Sequence, residues 1–166
     1  MLKHERTYRW ADPTGLMAAG AGRSGLDLLR DVAEGRLPPP PVASLIGVDE
    51  FKVEKGRVSV AFDPAEFHYN ALGTVHGGVI ATVIDIVLGS AVHSTLKAGQ
   101  GFTTLTLELK YHRAATAKSG RLIATAEVVT RGREILTGEA SLVDKNGRLF
   151  ANATSTLMIL KLPAGA

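Results

Sequence analysis

The chain has 166 residues, 45% apolar and 21% charged, enough to close one domain's core and too ordered a mixture for wholesale disorder. Lys and Arg total 19 against 16 Asp and Glu, and a net charge of +3 is too slight to point to nucleic acid. The chain has no cysteine, which excludes disulfides, Fe–S clusters, Cys-based zinc sites and Cys nucleophiles, and is compatible with a reducing, cytoplasmic setting.

In chain order, the opening MLKHERTYRW is charged and carries no secretory signal. Ser24 is a candidate N-cap for a helix from Gly25 to Glu34, with Leu26, Leu29 and Val32 on one side and Gly35 as its stop. Pro38 to Pro41 read as a stiff, extended run. Residues 1–42 are therefore expected to be a helical appendage with a proline-rich linker, and residues 43–162 the main domain.

The pattern then changes. Ile46 to Val53 reads as a strand, Lys55-Gly56 as a turn, and Arg57 to Phe62 as an alternating strand with Val58, Val60 and Phe62 on one face. Residues 63–76 form a loop holding Pro64, His68, Asn70 and Gly73. Residues 77–96 are apolar over nearly the length of a membrane span, but Asp85 sits in the middle, where a bilayer would penalise it. They are expected to form a buried helix, with no membrane partner. Alternating strands follow near 101–113, 120–131, 133–144 and 147–160, the last three joined by links short enough to force antiparallel neighbours. The expected fold is α+β: an antiparallel sheet of five to six strands around one long central helix.

Asp85 is the most informative residue. A carboxylate flanked by Ile84 and Ile86 needs compensation, which a structural hydrogen bond or a catalytic role could equally supply. His76-Gly77-Gly78 opens the same helix. Its first amides lack internal partners, and the glycines let a substrate approach the backbone, so Gly77 is a candidate oxyanion donor. Asn70 lies in the preceding loop, where Asn is most often a turn residue. Thr103 is assigned to the strand face of Leu105, Leu107, Leu109 and Tyr111, pointing at the helix, and on pattern alone reads more readily as a core threonine than a catalytic one. Between Lys97 and Arg133 there are seven basic residues and two acidic ones; Arg113, Arg131 and Arg133 are among them, forming either a solvated surface or a patch for a phosphorylated ligand. His4, His68, His76, His93 and His112 show no ligand spacing, so no metal is expected.

The run H-Y-N-A-L-G-T-V-H-G-G-V-I-A-T-V-I-D, residues 68–85, resembles the signature of hotdog-fold acyl-CoA thioesterases of the PaaI type, and the likeness extends to about Leu160. The spacing carries it: His76 six residues after Asn70, Asp85 nine after His76, Thr103 eighteen after Asp85. The resemblance implies a hotdog fold and hydrolysis of an acyl-CoA to the free acid and coenzyme A. It implies Asp85 as nucleophile or general base, Gly77 as the N–H that polarises the thioester carbonyl, and Asn70 orienting the thioester or the water. His76 would support the loop and Thr103 would position water. Gly78, Arg113, Arg131 and Arg133 would contact the substrate or its coenzyme A. No cofactor is implied beyond the coenzyme A of the substrate. Asp85 would face the loop of a second subunit, so a homodimer is required and a homotetramer is expected. Where many members read Arg-Pro, this chain has Tyr111-His112-Arg113-Ala114-Ala115, which keeps the base and loses the rigid corner.

Two other readings share the fold. A hydratase or dehydratase would use a His–carboxylate pair in a different motif context, and no Glu occupies the central helix. A non-catalytic acyl-CoA binder would bind without turnover.

Overall fold

The structure is a computed structural model that describes residues 3–20 and 22–162, so residues 1, 2 and 21 of the expected appendage lie outside it. Its elements are α1 (Pro13–Gly20), α2 (Gly25–Ala33), α3 (Pro41–Ile46), β1 (Val48–Glu54), β2 (Arg57–Phe62), α4 (Gly77–His93), β3 (Gln100–Tyr111), β4 (Leu122–Arg131), β5 (Ile135–Asp144) and β6 (Leu149–Lys161). The strands make one antiparallel sheet in the order β1-β2-β4-β5-β6-β3. The sheet wraps α4, which is the expected hotdog architecture.

The sequence seats the helix by size. Val83, Ile84, Val87 and Leu88 of α4 are wholly buried, each contributing roughly 1.5–3 kcal/mol of transfer free energy. Opposite them the sheet presents Ala124, Ala126, Ala140, Ala151 and Ala153, small enough to let the helix approach. Gly138 continues this row, and a Cβ there would stand 3.0 Å from Leu88 Cδ2. The sheet does not cover α4 all round: Thr82, Asp85, Ile86 and Ser90 are only half-buried.

α4 ends at His93, three residues before its expected end at 96. Ser94 and Thr95 stop it, their hydroxyls donating back to the carbonyls of Ala91 (2.7 Å) and Val92 (2.8 Å). α2 matches its expectation, with Ser24 Oγ accepting from the Asp27 N–H. α1 and α3 were not anticipated. Pro13 and Pro41 each open a helix, since the first helical position needs no N–H. The proline run is thus extended only to Pro40, Ile46 is helical rather than in β1, and α3 spans the boundary drawn at 42–43. Gly47, in the left-handed region at φ 87°, ends α3.

One irregularity decides the site. In β3, Thr104 pairs with Leu157 and Thr106 with Thr156, so Leu105 is an extra residue in a β-bulge. The Ser155 hydroxyl donates to the Thr106 carbonyl at 2.7 Å, and Thr106 Oγ1 accepts from the Thr156 N–H at 3.2 Å.

Candidate active site

The N-terminus of α4 is built from its cap outward. His76 is the N-cap, and its Nδ1 accepts from the Gly78 N–H at 2.9 Å. That bond commits Gly78, whose amide is no longer available to a substrate. The Gly77 N–H has no acceptor among the described residues, and it sits at the positive end of a 17-residue helix. The Gly77 carbonyl accepts from the Tyr111 hydroxyl at 2.9 Å. The Tyr111 ring also fills the space a side chain would need, since a Cβ on Gly77 would lie 3.2 Å from its oxygen.

Beside Gly77 lies an open cavity of about 340 Å³, walled by Val75, Ile80 and Ala115 at its apolar side and by Tyr111, His112 and Arg113 toward solvent. Asp85 does not line it. The carboxylate is half-buried rather than buried as expected, and its Oδ1 accepts from the Thr104 hydroxyl at 3.0 Å.

Thr104, not Thr103, faces the helix, which corrects the sequence-based assignment. Leu107, Leu109 and Tyr111 do point toward α4, as alternation predicts. The bulge at Leu105 resets the pleat, so upstream of it the helix-facing residues are Phe102 and Thr104. Thr103 falls on the opposite face.

Asn70 is tied into its own loop. Its Oδ1 accepts from the backbone N–H of Leu72 (2.9 Å) and Thr74 (3.3 Å), and its Nδ2 donates to Thr74 Oγ1 at 3.1 Å. The loop is fixed at both ends: His76 N–H donates to the His68 carbonyl and Val75 N–H to the Ala115 carbonyl, both at 2.8 Å.

The three arginines do not make one patch within the chain. Arg113 flanks the Gly77 cavity. Arg131 donates to the Thr95 carbonyl at 2.8 Å, beyond the far end of α4, and Arg133 lies in the adjoining β4–β5 turn. A helix of 17 residues separates the two ends by about 25 Å.

Sequence reasoning missed Thr104 and the clamp of Tyr111 on Gly77. Strand parity gave Tyr111 its direction, but nothing in the composition of β3 marks the bulge.

A helix wrapped by a six-stranded antiparallel sheet, with an amide at its start that has no acceptor among the described residues, defines a hotdog fold. Residues 72–151 match the thioesterase superfamily. Human acyl-coenzyme A thioesterase 13 is 29% identical over 103 residues, which cover 61% of this chain and 71% of that protein. A phenylacetic acid degradation-related protein of Ralstonia eutropha superposes with a TM-score of 0.70 at 29% identity, covering 78% of this chain and 98% of that one. A Streptococcus mutans protein solved with acetyl CoA bound gives a TM-score of 0.62 at 25% identity, covering 69% and 91%. The chain has the hotdog fold and is similar to the thioesterase superfamily over residues 72–151, and these likenesses make it a thioester hydrolase. Among its described residues no helix is long and apolar enough to cross a membrane.

Proposed function

We propose that the protein hydrolyses acyl-CoA thioesters in a site shared by two copies of the chain. Gly77 and the Asn70 loop come from one copy, Asp85 and Thr104 from the other. The observation that carries this reading is the separation of Gly77 and Asp85 on α4. Eight residues apart on one helix, they stand about 12 Å apart along its axis and about 80° apart around it. The cavity beside Gly77 is walled by the end of β3 and not by Asp85. The strip of α4 that the sheet leaves half-covered, from Thr82 through Asp85 and Ile86 to Ser90, is where a second copy would bring its own Gly77.

The chemistry needs little else. The Gly77 N–H polarises the thioester carbonyl and takes up negative charge as the tetrahedral intermediate forms. Asp85 either attacks the carbonyl, expelling the thiolate to leave an acyl anhydride that water then hydrolyses, or deprotonates the water that attacks directly, and Thr104 holds its carboxylate in place. The coenzyme A thiolate is a good leaving group, so no metal or further cofactor enters the proposal. Arg113, exposed at the cavity, supplies positive charge for a phosphate of coenzyme A. The acyl-CoA thioesterase relative and the acetyl CoA-bound neighbour support the choice of ligand.

The test is free-thiol release from a panel of short, medium and long acyl-CoAs with phenylacetyl- and benzoyl-CoA. Turnover that disappears in Asp85→Asn supports the reading. Coenzyme A binding without turnover on any member would replace it with the binder.

A further inference from the structure

The reaction as proposed leaves the buried imidazole of His68 without a part. His68 is 4% exposed and sits in a 3-10 turn at Glu66–His68, just ahead of the Asn70 loop. Both ring nitrogens are satisfied. Nδ1 accepts from the Ala65 N–H at 3.0 Å, which requires an unprotonated Nδ1, and Nε2 then carries the proton and donates to the Ile46 carbonyl at 2.7 Å. Ile46 closes α3, so the ring ties the site loop to the helix before β1. Phe62 meets the ring edge-on at 5.6 Å between centroids, and Phe67 lies at 4.1 Å. The backbone carbonyl of the same residue accepts from the N–H of His76, the cap of α4. One residue thus holds α3, the site loop and the start of α4 together.

We propose that His68 is a positioning residue for the site: its neutral ring fastens the loop to α3, and its carbonyl fixes His76 and thereby the direction of the Gly77 N–H. The proposal rests on the reading of Gly77 as the carbonyl-polarising donor. It makes the site sensitive to acid through a group that never meets substrate. Protonation turns Nδ1 from acceptor to donor and sets it against the Ala65 N–H. Burial resists that protonation and holds the imidazole below its ordinary range, and the Arg6 guanidinium adds to the resistance. Arg6 comes from the N-terminal segment and stacks on Phe67 at 3.7 Å from the ring centre. Ile46, Phe62 and Phe67, which also meet the ring, bring no titratable side chain. Glu66, next along the turn, is exposed and pairs with His4 at 3.8 Å.

The experiment has two arms on the full-length protein. The first follows amide hydrogen exchange of Ala65 and His76 in the wild type while the His68 ring is titrated by NMR. The expected result is a joint loss of protection at both amides, about tenfold or more, that tracks ring protonation after correction for intrinsic exchange. Protection at His76 that ignores the state of the ring overturns the proposal. The second arm measures steady-state kinetics of His68→Phe and His68→Gln. His68→Phe is expected to lower kcat about tenfold or more with KM within about twofold, the pattern of a displaced transition-state contact. His68→Gln, which can still donate to Ile46, is expected to recover most of the loss. A folded His68→Phe enzyme with wild-type kcat overturns the proposal, and if that variant does not fold the exchange arm decides. A wild type that turns over no acyl-CoA removes the thioesterase reading, while the exchange arm still judges the fastening itself.

Discussion

The Thr104 hydroxyl donates to Asp85 Oδ1 at 3.0 Å, joining β3 to the open side of α4. The bond engages Oδ1 and leaves Oδ2 without a hydrogen-bond partner among the described residues. Asp85→Asn is expected to lower kcat by roughly 10²–10⁴, the usual contribution of a general base. Thr104→Val should cost about 10- to 100-fold, since a hydrogen bond to a charged group contributes roughly 1.5–3 kcal/mol. Thr104→Ser should restore most of that. Steady-state kinetics of the three variants checks the order, and a Thr104→Val enzyme at the wild-type rate would return the threonine to a packing role.

A side chain at Gly77 would crowd Tyr111. A Cβ would stand 3.2 Å from the Tyr111 oxygen and 3.3 Å from Cζ. Both atoms belong to the end of an exposed side chain, which can move, so Gly77→Ala should fold with nearly wild-type stability. It should nevertheless lose about tenfold or more in kcat, because the displaced ring invades the cavity that the amide faces. Tyr111→Phe keeps the ring and removes only the bond to the Gly77 carbonyl, and a loss nearer threefold is expected, on the order of the net contribution of one hydrogen bond. Thermal melts and kcat measured on the same preparations separate the two effects.

The parts of the fold that could be read from sequence are those where one local signal outweighs the rest. α4 is legible because its Val and Ile recur at helical spacing over too long a run for a strand. The β5–β6 turn is legible because Asp144 and Gly147 are turn residues: Asp144 Oδ1 accepts from the amides of Asn146 and Arg148, and Gly147 takes φ 77°. α3 was missed because a proline at the first helical position looks like one more residue of an extended run. Asp85, Gly77 and His76 were read correctly as elements of one helix, since their spacing is set within α4 itself. Thr104 was not, because its direction depends on which residue of β6 it pairs with, and pairing is a property of two strands. The expectation that two chains share the site came from the resemblance, and it stays a proposal, motivated by the separation of Gly77 and Asp85 along α4.

Gly25 is a point of close contact between the N-terminal part and the main domain. Its N–H donates to the Leu96 carbonyl at 3.2 Å, and a Cβ there would stand 2.0 Å from the His93 carbonyl oxygen and 2.7 Å from its carbon. Those atoms are backbone at the end of α4 and cannot move aside without shifting the helix. Gly25→Ala is expected to lose about 3 kcal/mol, the upper part of the range for overpacking, and roughly 6–12 °C in Tm. Gly15 in α1 has nothing within 4 Å of its Cβ position, so Gly15→Ala should hold or gain up to about 1 kcal/mol. Equal melts for the two variants would mean that α2 does not rest on α4 in solution.

Acid should destabilise the protein in two stages. Burial holds the His68 and His93 imidazoles below their ordinary range, so between the ordinary and the lowered values the unfolded chain binds protons that the folded chain refuses. The stability due to the neutral rings is therefore complete above about pH 6.5 and falls as pH drops through that value. Asp31, held down by Arg23 and Arg36, and Glu50, held down by Lys52 and Arg121, act lower still. Their contribution is present above the ordinary carboxylate range and is lost as pH falls through it. Chemical denaturation between about pH 4 and 8 should show the first stage starting near pH 6.5 and diminished in His68→Gln. A midpoint that is flat down to about pH 5 would contradict the assignment of neutral buried rings.

A site divided between copies makes a prediction that no single-chain site shares. If Asp85 serves the Gly77 of its partner, an Asp85→Asn chain and a Gly77→Ala chain each carry one intact half. In a dimer of the two, both defects fall in one site and the other site is built from sound residues. Unfolding and refolding an equal mixture should make about half the dimers mixed, each with one working site of two. The mixture should then recover roughly a quarter of the wild-type rate from two nearly inactive parents. A mixture no more active than its parents, with mixed dimers confirmed by native mass spectrometry, would place Asp85 and Gly77 in the same chain's site and overturn the shared arrangement.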